Sequence, residues 1–172
     1  TFKELSYDVD GHVGIITLRR PEAMNSLTYT LYMELEDAVR NSEARALVIT
    51  GEGRAFCAGD DVKQILGGTG APPVESIARG KRTGGLTPAA DALLHTDIPI
   101  VAAVNGPAVG IGTTMLLHCD LVYAAPGARF QMPFVPLGLV PEAGSSFLLP
   151  YIAGYQRAAE LLLLGQPFDA DK

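Results

Sequence analysis

Glu142 is the residue of this sequence best suited to proton transfer. It is the only acid between Asp120 and Glu160, and its neighbours are the largely apolar residues Val140, Pro141, Ala143 and Phe147. Burial among apolar groups raises the pKa of a carboxyl toward neutrality, where one group can both accept and release a proton. We therefore predict an acid–base role for Glu142. The alternative is that it is only an acid preceding a helix, favoured there by the helix dipole.

The run Gly110-Ile111-Gly112 is a second candidate, for binding rather than for proton transfer. It follows an apolar segment at residues 99–104 and an Asn105-Gly106 turn. Glycines let a ligand approach the backbone, and the first N–H groups of a helix have no internal partners. Such a turn favours a negatively charged oxygen. The alternative is that the glycines serve only close packing of helix on strand.

Composition narrows the class of protein. The 172 residues, 48 % of them hydrophobic, predict one domain spanning 1–172 with a sizeable core. A net charge of −6 opposes a general nucleic-acid surface. The longest apolar runs fall far below the roughly 20 residues that cross a bilayer, so no membrane association is predicted.

The sequence also favours a particular compartment. It opens with no basic and apolar leader, so we expect a soluble protein of a bacterial cytoplasm, or of an organellar matrix after removal of a targeting segment. Two cysteines are too few for a disulfide framework and favour a reducing environment. The three histidines lack metal-ligand spacing, so no metal site is predicted.

Apolar periodicity and turn residues predict the elements that position these candidates. Asp10-Gly11 is typical of a β-hairpin, and Ser26 or Thr28 can cap a helix that ends near Asn41. Thr87-Pro88 begins a helix through His95. Further elements are strands at 2–9, 13–18, 46–50, 99–104 and 120–124, and helices at 61–66 and 112–118. This alternation predicts an α/β fold with a largely buried sheet.

The remaining predictions concern residues 67–86 and the C-terminal part of the sequence. Residues 67–86 hold six glycines and little periodicity, which is typical of a mobile cover or an extended linker. Helices are predicted at 144–152 and 156–164, the second apolar on nearly every side and ending at Gly165. Residues 169–172 are interpreted as the start of another helix. We therefore expect a C-terminal helical segment that this sequence lacks.

Four motifs occur in the order RRPEAMNSL, ALVITGEGRAFCAGDDV, PIVAAVNGPAVGIG and LGLVPEAGSS. Together they resemble the crotonase family of enoyl-CoA hydratases and isomerases, over almost the whole sequence. The resemblance implies a crotonase-like ββα spiral core that holds a thioester enolate between two backbone N–H groups. It implies an acyl-CoA substrate, with coenzyme A as part of it and no permanently bound cofactor. It also implies a homotrimer or hexamer, formed through a C-terminal helical region that we expect to be truncated here.

The resemblance assigns the two backbone N–H groups to Asp60 and Ile111 and the catalytic acid to Glu142. A carboxylate aimed at the enolate would repel it, so we expect the Asp60 side chain to turn to solvent. Arg19, Arg20 and Lys63 are candidates to meet the CoA phosphates. The substrate-binding positions are Ala23, Met24, Ala58, Gly59, Asp61, Val62, Gly110, Thr114, Phe134 and Leu137.

Thr114 and Phe134 occupy the positions where hydratases of the family carry two glutamates. Neither side chain can act as an acid or base near neutral pH. Glu142 instead matches the single catalytic acid of the family's peroxisomal Δ3,Δ2-enoyl-CoA isomerases. The prediction is therefore an isomerase with Glu142 as proton shuttle, in a dry pocket lined by Phe130, Phe134 and Leu137.

Other functions stay open at this point. Glu142 with a bound water would make an enoyl-CoA hydratase or another crotonase-family lyase or hydrolase. A protein that kept the fold and lost the chemistry would be a non-catalytic acyl-CoA-binding subunit. Cys57 is a weaker candidate nucleophile, because no histidine or asparagine partner is identifiable and cysteine is more often a buried packing residue.

Overall fold

The computed structural model describes residues 1–65, 78 and 87–172. The chain opens with the predicted hairpin, in which β1 (Leu5–Asp10) and β2 (Val13–Leu18) pair antiparallel. Helix α1 (Tyr29–Arg40) begins after Thr28, whose Oγ1 accepts a hydrogen bond from the Leu31 N–H at 3.0 Å. Of the two predicted caps, Thr28 is therefore the one used.

The middle of the chain alternates strands and helices as predicted. Its elements are β3 (Ala46–Gly51), α2 (Val62–Ile65), α3 (Pro88–His95), β4 (Ile100–Val104), β5 (Ala108–Val109), α4 (Ile111–Thr114), a 3₁₀ turn (Met115–His118) and β6 (Leu121–Ala124). The predicted cover or linker at residues 67–86 lies outside the described residues, apart from residue 78.

The main sheet has five strands in the order β1-β2-β3-β4-β6, and every pair after the hairpin is parallel. Helices α1 and α3 pack against each other. The largest fully buried side chains include Ile16 and Leu18 of β2, Ile49 of β3 and Ile100 of β4. The prediction of a largely buried sheet fails at the two edge strands, where residues 8–10 of β1 and 121–123 of β6 are exposed.

A second sheet joins the glycine turn to the end of the chain. It contains β5, β7 (Arg129–Gln131) and β8 (Phe168–Asp169) in the order β5-β7-β8. Phe130 pairs with Phe168 across β7 and β8, and their rings stack with centroids 5.4 Å apart. The interpretation of residues 169–172 as a helix start is therefore wrong, because Asp169 ends a strand and a turn follows it.

The late helices are α5 (Ser145–Ala153) and α6 (Tyr155–Ala159), and α6 continues as a π-helical turn (Glu160–Leu164) that ends at Gly165. They enclose a second apolar cluster of Met132, Phe134, Leu149, Ala158, Leu161 and Leu162. Two further 3₁₀ turns are Pro21–Ala23 and Val135–Leu137. No helix within residues 1–65, 78 and 87–172 has the length and apolar content that crossing a membrane requires.

Candidate active site

Main-chain hydrogen bonds join the loop at residues 57–61 to the glycine turn at 107–112. The Val109 N–H donates to the Cys57 carbonyl at 2.9 Å, and the Cys57 N–H donates to the Pro107 carbonyl at 3.2 Å. Both segments turn at a glycine with positive φ, +95° at Gly59 and +56° at Gly110. A Cβ on Gly59 would lie 2.9 Å from the Val109 carbonyl oxygen, so a larger residue would force the segments apart.

Asp60 and Ile111 follow these two glycines, which lie close together: a Cβ on Gly110 would lie 3.9 Å from the Gly59 Cα. Within the described part of the chain, neither the Asp60 N–H nor the Ile111 N–H donates a hydrogen bond to the protein. The N–H groups beside them are paired, that of Gly110 with the Gln131 carbonyl and that of Asp61 with the Leu27 carbonyl. Two donors without protein partners, on segments that are hydrogen-bonded to each other, can bind a negatively charged oxygen.

The other side of the 57–61 loop contacts the start of the chain. The Ala58 N–H donates to the Met24 carbonyl at 2.9 Å, and the Leu27 N–H donates to the Gly59 carbonyl at 2.8 Å. The predicted substrate-binding residues Ala23 and Met24 are therefore brought beside those at 58–62. Met24 is 38 % exposed and Val62 is 61 % exposed, so this part of the candidate site is open to solvent.

The arginines predicted near the CoA phosphates form ion pairs within the chain. Arg20 lies 2.9 Å from Asp61 and 3.6 Å from Glu4, and it also donates to the Ser26 carbonyl. Arg19 pairs with Glu52 at 2.9 Å. Arg20 is mostly buried by these contacts, which favours a structural role in holding the 58–62 segment.

Glu142 is brought to the glycine turn by a long-range contact. The Thr114 hydroxyl, fully buried in α4, donates to Glu142 Oε1 at 3.2 Å. The loop that carries Glu142 is fixed on its other side, since the Nε2–H of His118 donates to the Ala143 carbonyl at 2.8 Å. Ala143 has a φ of 49°, a left-handed conformation that is uncommon for alanine. The hydrogen bond from His118 therefore holds a strained residue next to the candidate acid.

The Glu142 carboxyl has the electrostatic character predicted from its apolar neighbours. Burial and then the negative charge of Asp60 raise its pKa from an ordinary value of 4.5 to about 7, while the hydrogen bond from Thr114 acts in the opposite direction. A carboxyl with a pKa near neutrality exchanges protons readily in both directions. This is the property that a shuttle requires.

The prediction that the Asp60 side chain turns to solvent is wrong. The Tyr32 hydroxyl donates to Asp60 Oδ1 at 2.6 Å, and Asp60 is half-buried. Burial raises the pKa of Asp60, and the hydrogen bond from Tyr32 partly offsets that rise. Tyr32, on α1, is the residue that sequence reasoning missed; its place beside the periodic apolar positions Leu31 and Leu35 was the only available signal.

Cys57 is unsuited to nucleophilic chemistry. It is fully buried, and burial raises the pKa of its thiol to about 12. A thiol that stays protonated at neutral pH is a poor nucleophile. The structure therefore favours a packing role for Cys57.

The three predicted pocket residues have different environments. Phe130 stacks on Phe168 beside the second sheet, and Phe134 is buried in the second apolar cluster. Leu137 is 65 % exposed. Of the predicted substrate-binding residues, Thr114 is the one that donates a hydrogen bond to Glu142.

Comparisons with known proteins identify the family. Residues 8–172 match the sequence model of the family described as enoyl-CoA hydratase/isomerase. The chain is 36 % identical over 177 residues to a "Probable enoyl-CoA hydratase" of Rhodobacter capsulatus, covering 100 % of this chain and 65 % of that protein. It is 37 % identical over 169 residues to the 1,2-epoxyphenylacetyl-CoA isomerase of Escherichia coli, covering 95 % and 63 %.

A solved structure gives the same result at the level of the fold. The crystal structure of an enoyl-CoA hydratase/isomerase from Pseudoalteromonas atlantica superposes with a TM-score of 0.84 at 40 % identity, covering 98 % of this chain and 65 % of that one. The chain spans 63–65 % of the length of the two curated relatives. Since the motifs, the match over residues 8–172 and the superposition agree, the chain belongs to the enoyl-CoA hydratase/isomerase family and has its crotonase-like α/β fold.

Proposed function

We propose that this protein isomerises 3-enoyl-CoA to 2-enoyl-CoA, with Glu142 as the proton shuttle. The observation that carries the proposal is the Glu142 carboxyl, with a pKa near 7, hydrogen-bonded to Thr114 beside the glycine turn. The two neighbouring N–H groups of Asp60 and Ile111 would form the oxyanion hole. Thr114 and Phe134 cannot supply the paired acids of a hydratase.

The reaction follows from these groups. The Glu142 carboxylate accepts a proton from C2 of the 3-enoyl thioester, and the electron pair moves onto the carbonyl oxygen. The resulting negative charge receives hydrogen bonds from the Asp60 and Ile111 amides, each worth about 10²–10³ in rate for preorganised donors. Glu142 then returns its proton to C4, which leaves the double bond between C2 and C3. One carboxyl and two amides are sufficient for both steps.

The substrate would lie along the open side of the 57–61 loop. Main-chain groups at Ala23, Met24 and 58–62 would meet the CoA moiety, and the missing side chain of Gly110 would admit the thioester. Phe134 and Leu137 would border the acyl chain near Thr114. Since Arg20 forms ion pairs with Asp61 and Glu4, we infer that recognition of CoA depends mainly on the backbone at positions 23, 24 and 58–62.

Hydration is the second candidate function, and one observation favours it. The negative charge of Asp60 contributes to the raised pKa of Glu142, so a second carboxyl lies near enough to Glu142 to interact with it. With a water between them, such a pair can serve as acid and base. A lyase or hydrolase of the family would draw on the same two groups.

The test compares 2-enoyl-CoA and 3-enoyl-CoA side by side with the wild-type protein and with Glu142→Gln. We expect conversion of 3-enoyl-CoA, and a fall in kcat of about 10²–10⁴ in the variant with acyl-CoA affinity retained. The exposed acid Glu43 provides a matched control, Glu43→Gln, which should leave kcat unchanged. Full activity of Glu142→Gln would contradict the assignment of the base.

Two further outcomes separate the alternatives. Incorporation of oxygen from labelled water into the product would favour hydration over isomerisation. Tight acyl-CoA binding without turnover of either substrate would favour a non-catalytic subunit. Assembly as a homotrimer or hexamer, and a place in fatty-acid metabolism in the cytoplasm or an organellar matrix, belong to the same proposal; sedimentation of the purified protein tests the assembly.

A further inference from the structure

The backbone and the side chain of Asp60 have opposite effects on a negatively charged oxygen in the proposed site. Its backbone N–H is one of the two amides that would receive the enolate oxygen, yet its side chain carries a negative charge. Like charges a few ångströms apart repel strongly where water is excluded. A carboxylate free to rotate toward its own amide would therefore weaken the binding of the enolate.

The segment before helix α1 restrains the backbone of Asp60, and the helix itself restrains the Asp60 side chain. Leu27, just before the helix, pairs with the Asp60 segment through the Leu27 N–H to the Gly59 carbonyl at 2.8 Å and the Asp61 N–H to the Leu27 carbonyl at 2.9 Å. From the first turn of the helix, the Tyr32 hydroxyl reaches Asp60 Oδ1 at 2.6 Å. Tyr32 is itself only 5 % exposed, so its ring is held by the surrounding core.

We propose that Tyr32 is a positioning residue, whose hydroxyl holds the Asp60 carboxylate against α1 and out of the space in front of the Asp60 and Ile111 amides. The inference rests on the proposed function, because it takes those amides as the site of the enolate oxygen. It adds a role that the four sequence motifs do not contain, since Tyr32 lies between them.

We expect Tyr32 to keep this role over a wide pH range. Among the described residues, Tyr32 on α1, Cys57 on the same loop and Glu142 on the loop before α5 interact electrostatically with Asp60, and the adjacent Asp61 is paired with Arg20. The Tyr32 pKa lies well above its ordinary value, chiefly through burial and then through the charge of Asp60, so its hydroxyl stays a donor. The Cys57 thiol stays neutral, with a pKa of about 12. Glu142 is the one of the three that changes charge near pH 7.

A double-mutant cycle with Tyr32→Phe and Asp60→Asn tests the proposal. The probe is acetoacetyl-CoA, a β-keto thioester that ionises to a stable enolate, titrated by calorimetry and by the absorbance of the bound enolate. We expect Tyr32→Phe to weaken binding roughly 10-fold or more, the range for a hydrogen bond to a charged group. Asp60→Asn, which removes the repelling charge, should strengthen binding. The double variant should bind as Asp60→Asn does.

The cycle distinguishes positioning from packing. If Tyr32 only stabilises the fold, Tyr32→Phe should weaken enolate binding by the same factor in the wild-type and in the Asp60→Asn backgrounds. Such additive effects would overturn the inference. Tyr7→Phe is the matched control, because it removes a comparable hydroxyl hydrogen bond, 2.7 Å to Ser42, between β1 and the segment after α1. Thermal unfolding of each variant shows that it is folded during the titration.

The same measurements separate this inference from the proposed function. Additive effects on enolate binding, with isomerisation intact in the wild type, overturn the role of Tyr32 alone. A coupled cycle in a protein that does not isomerise 3-enoyl-CoA overturns the reaction alone. Failure of the wild type to bind the enolate overturns both.

Discussion

Replacing Glu142 by glutamine is expected to stabilise the folded protein above neutral pH while it removes the proposed base. The folded-state pKa of Glu142 is about 7 against an ordinary value of 4.5, chiefly because of burial. The folded protein thus binds this proton more tightly than the unfolded chain does. The free energy of unfolding therefore falls as pH rises from about 4.5 through about 7. At about 1.4 kcal/mol per pH unit, the wild type loses at most about 3 kcal/mol.

Glutamine cannot ionise, and its side-chain oxygen can still accept the hydrogen bond from Thr114. Glu142→Gln should therefore be more stable than wild type by up to about 3 kcal/mol above neutral pH, and the difference should vanish toward about pH 4.5. Urea unfolding followed by circular dichroism, repeated across this pH range, measures it. The exposed control Glu43→Gln should follow the wild-type curve at every pH.

Two results would refute this reasoning. Equal stability of wild type and Glu142→Gln above neutral pH would mean that the carboxyl ionises without penalty, and the case for a shuttle would lose its electrostatic basis. A difference in stability that stays constant with pH would assign the effect to packing rather than to ionisation.

Two further substitutions test the surroundings of the acid. Thr114→Val removes the hydrogen bond that favours ionised Glu142, so the pKa of Glu142 should rise and the acidic limb of the pH profile of kcat/KM should move to higher pH. Thr114→Ser keeps the hydroxyl and is the control. Identical pH profiles for the two variants would contradict this prediction. Gly112→Ala places a Cβ 2.2 Å from the Cys57 carbonyl oxygen, so it should lower Tm by several degrees and remove most activity. Gly127→Ala, in open space, is the control, and a Gly112→Ala protein with unchanged Tm and activity would show that the loop yields freely.

Much of the main sheet could be predicted because its signals are local. Asp10-Gly11 marks the hairpin, Thr28 caps α1, and Thr87-Pro88 begins α3, each through chemistry confined to a few neighbouring residues. The second sheet gave no such signal, since β5 and β8 have two residues each and β7 has three. Strands this short show no periodicity and are fixed by their partners.

The candidate site likewise combines one feature that the local sequence predicts with one that it does not. The raised pKa of Glu142 followed from apolar neighbours in the sequence, and the structure agrees in direction. The orientation of the Asp60 carboxyl depends instead on Tyr32, 28 residues earlier in the chain. A contact across that separation is a product of the tertiary fold. Without it, repulsion from the enolate was the only available argument, and it gave the wrong orientation.

The hydrogen bonds between the 57–61 loop and the 107–112 turn join main chain to main chain. Peptide groups are alike whatever side chains they carry. These main-chain hydrogen bonds therefore tolerate most substitutions in the two segments, apart from those at the glycines. The side chains at positions 60, 114, 134 and 142 make none of these main-chain hydrogen bonds, so changing them leaves the bonds themselves in place. A division of labour of this kind, with a fixed backbone cradle and interchangeable side chains, lets one scaffold diversify its reactions over evolutionary time.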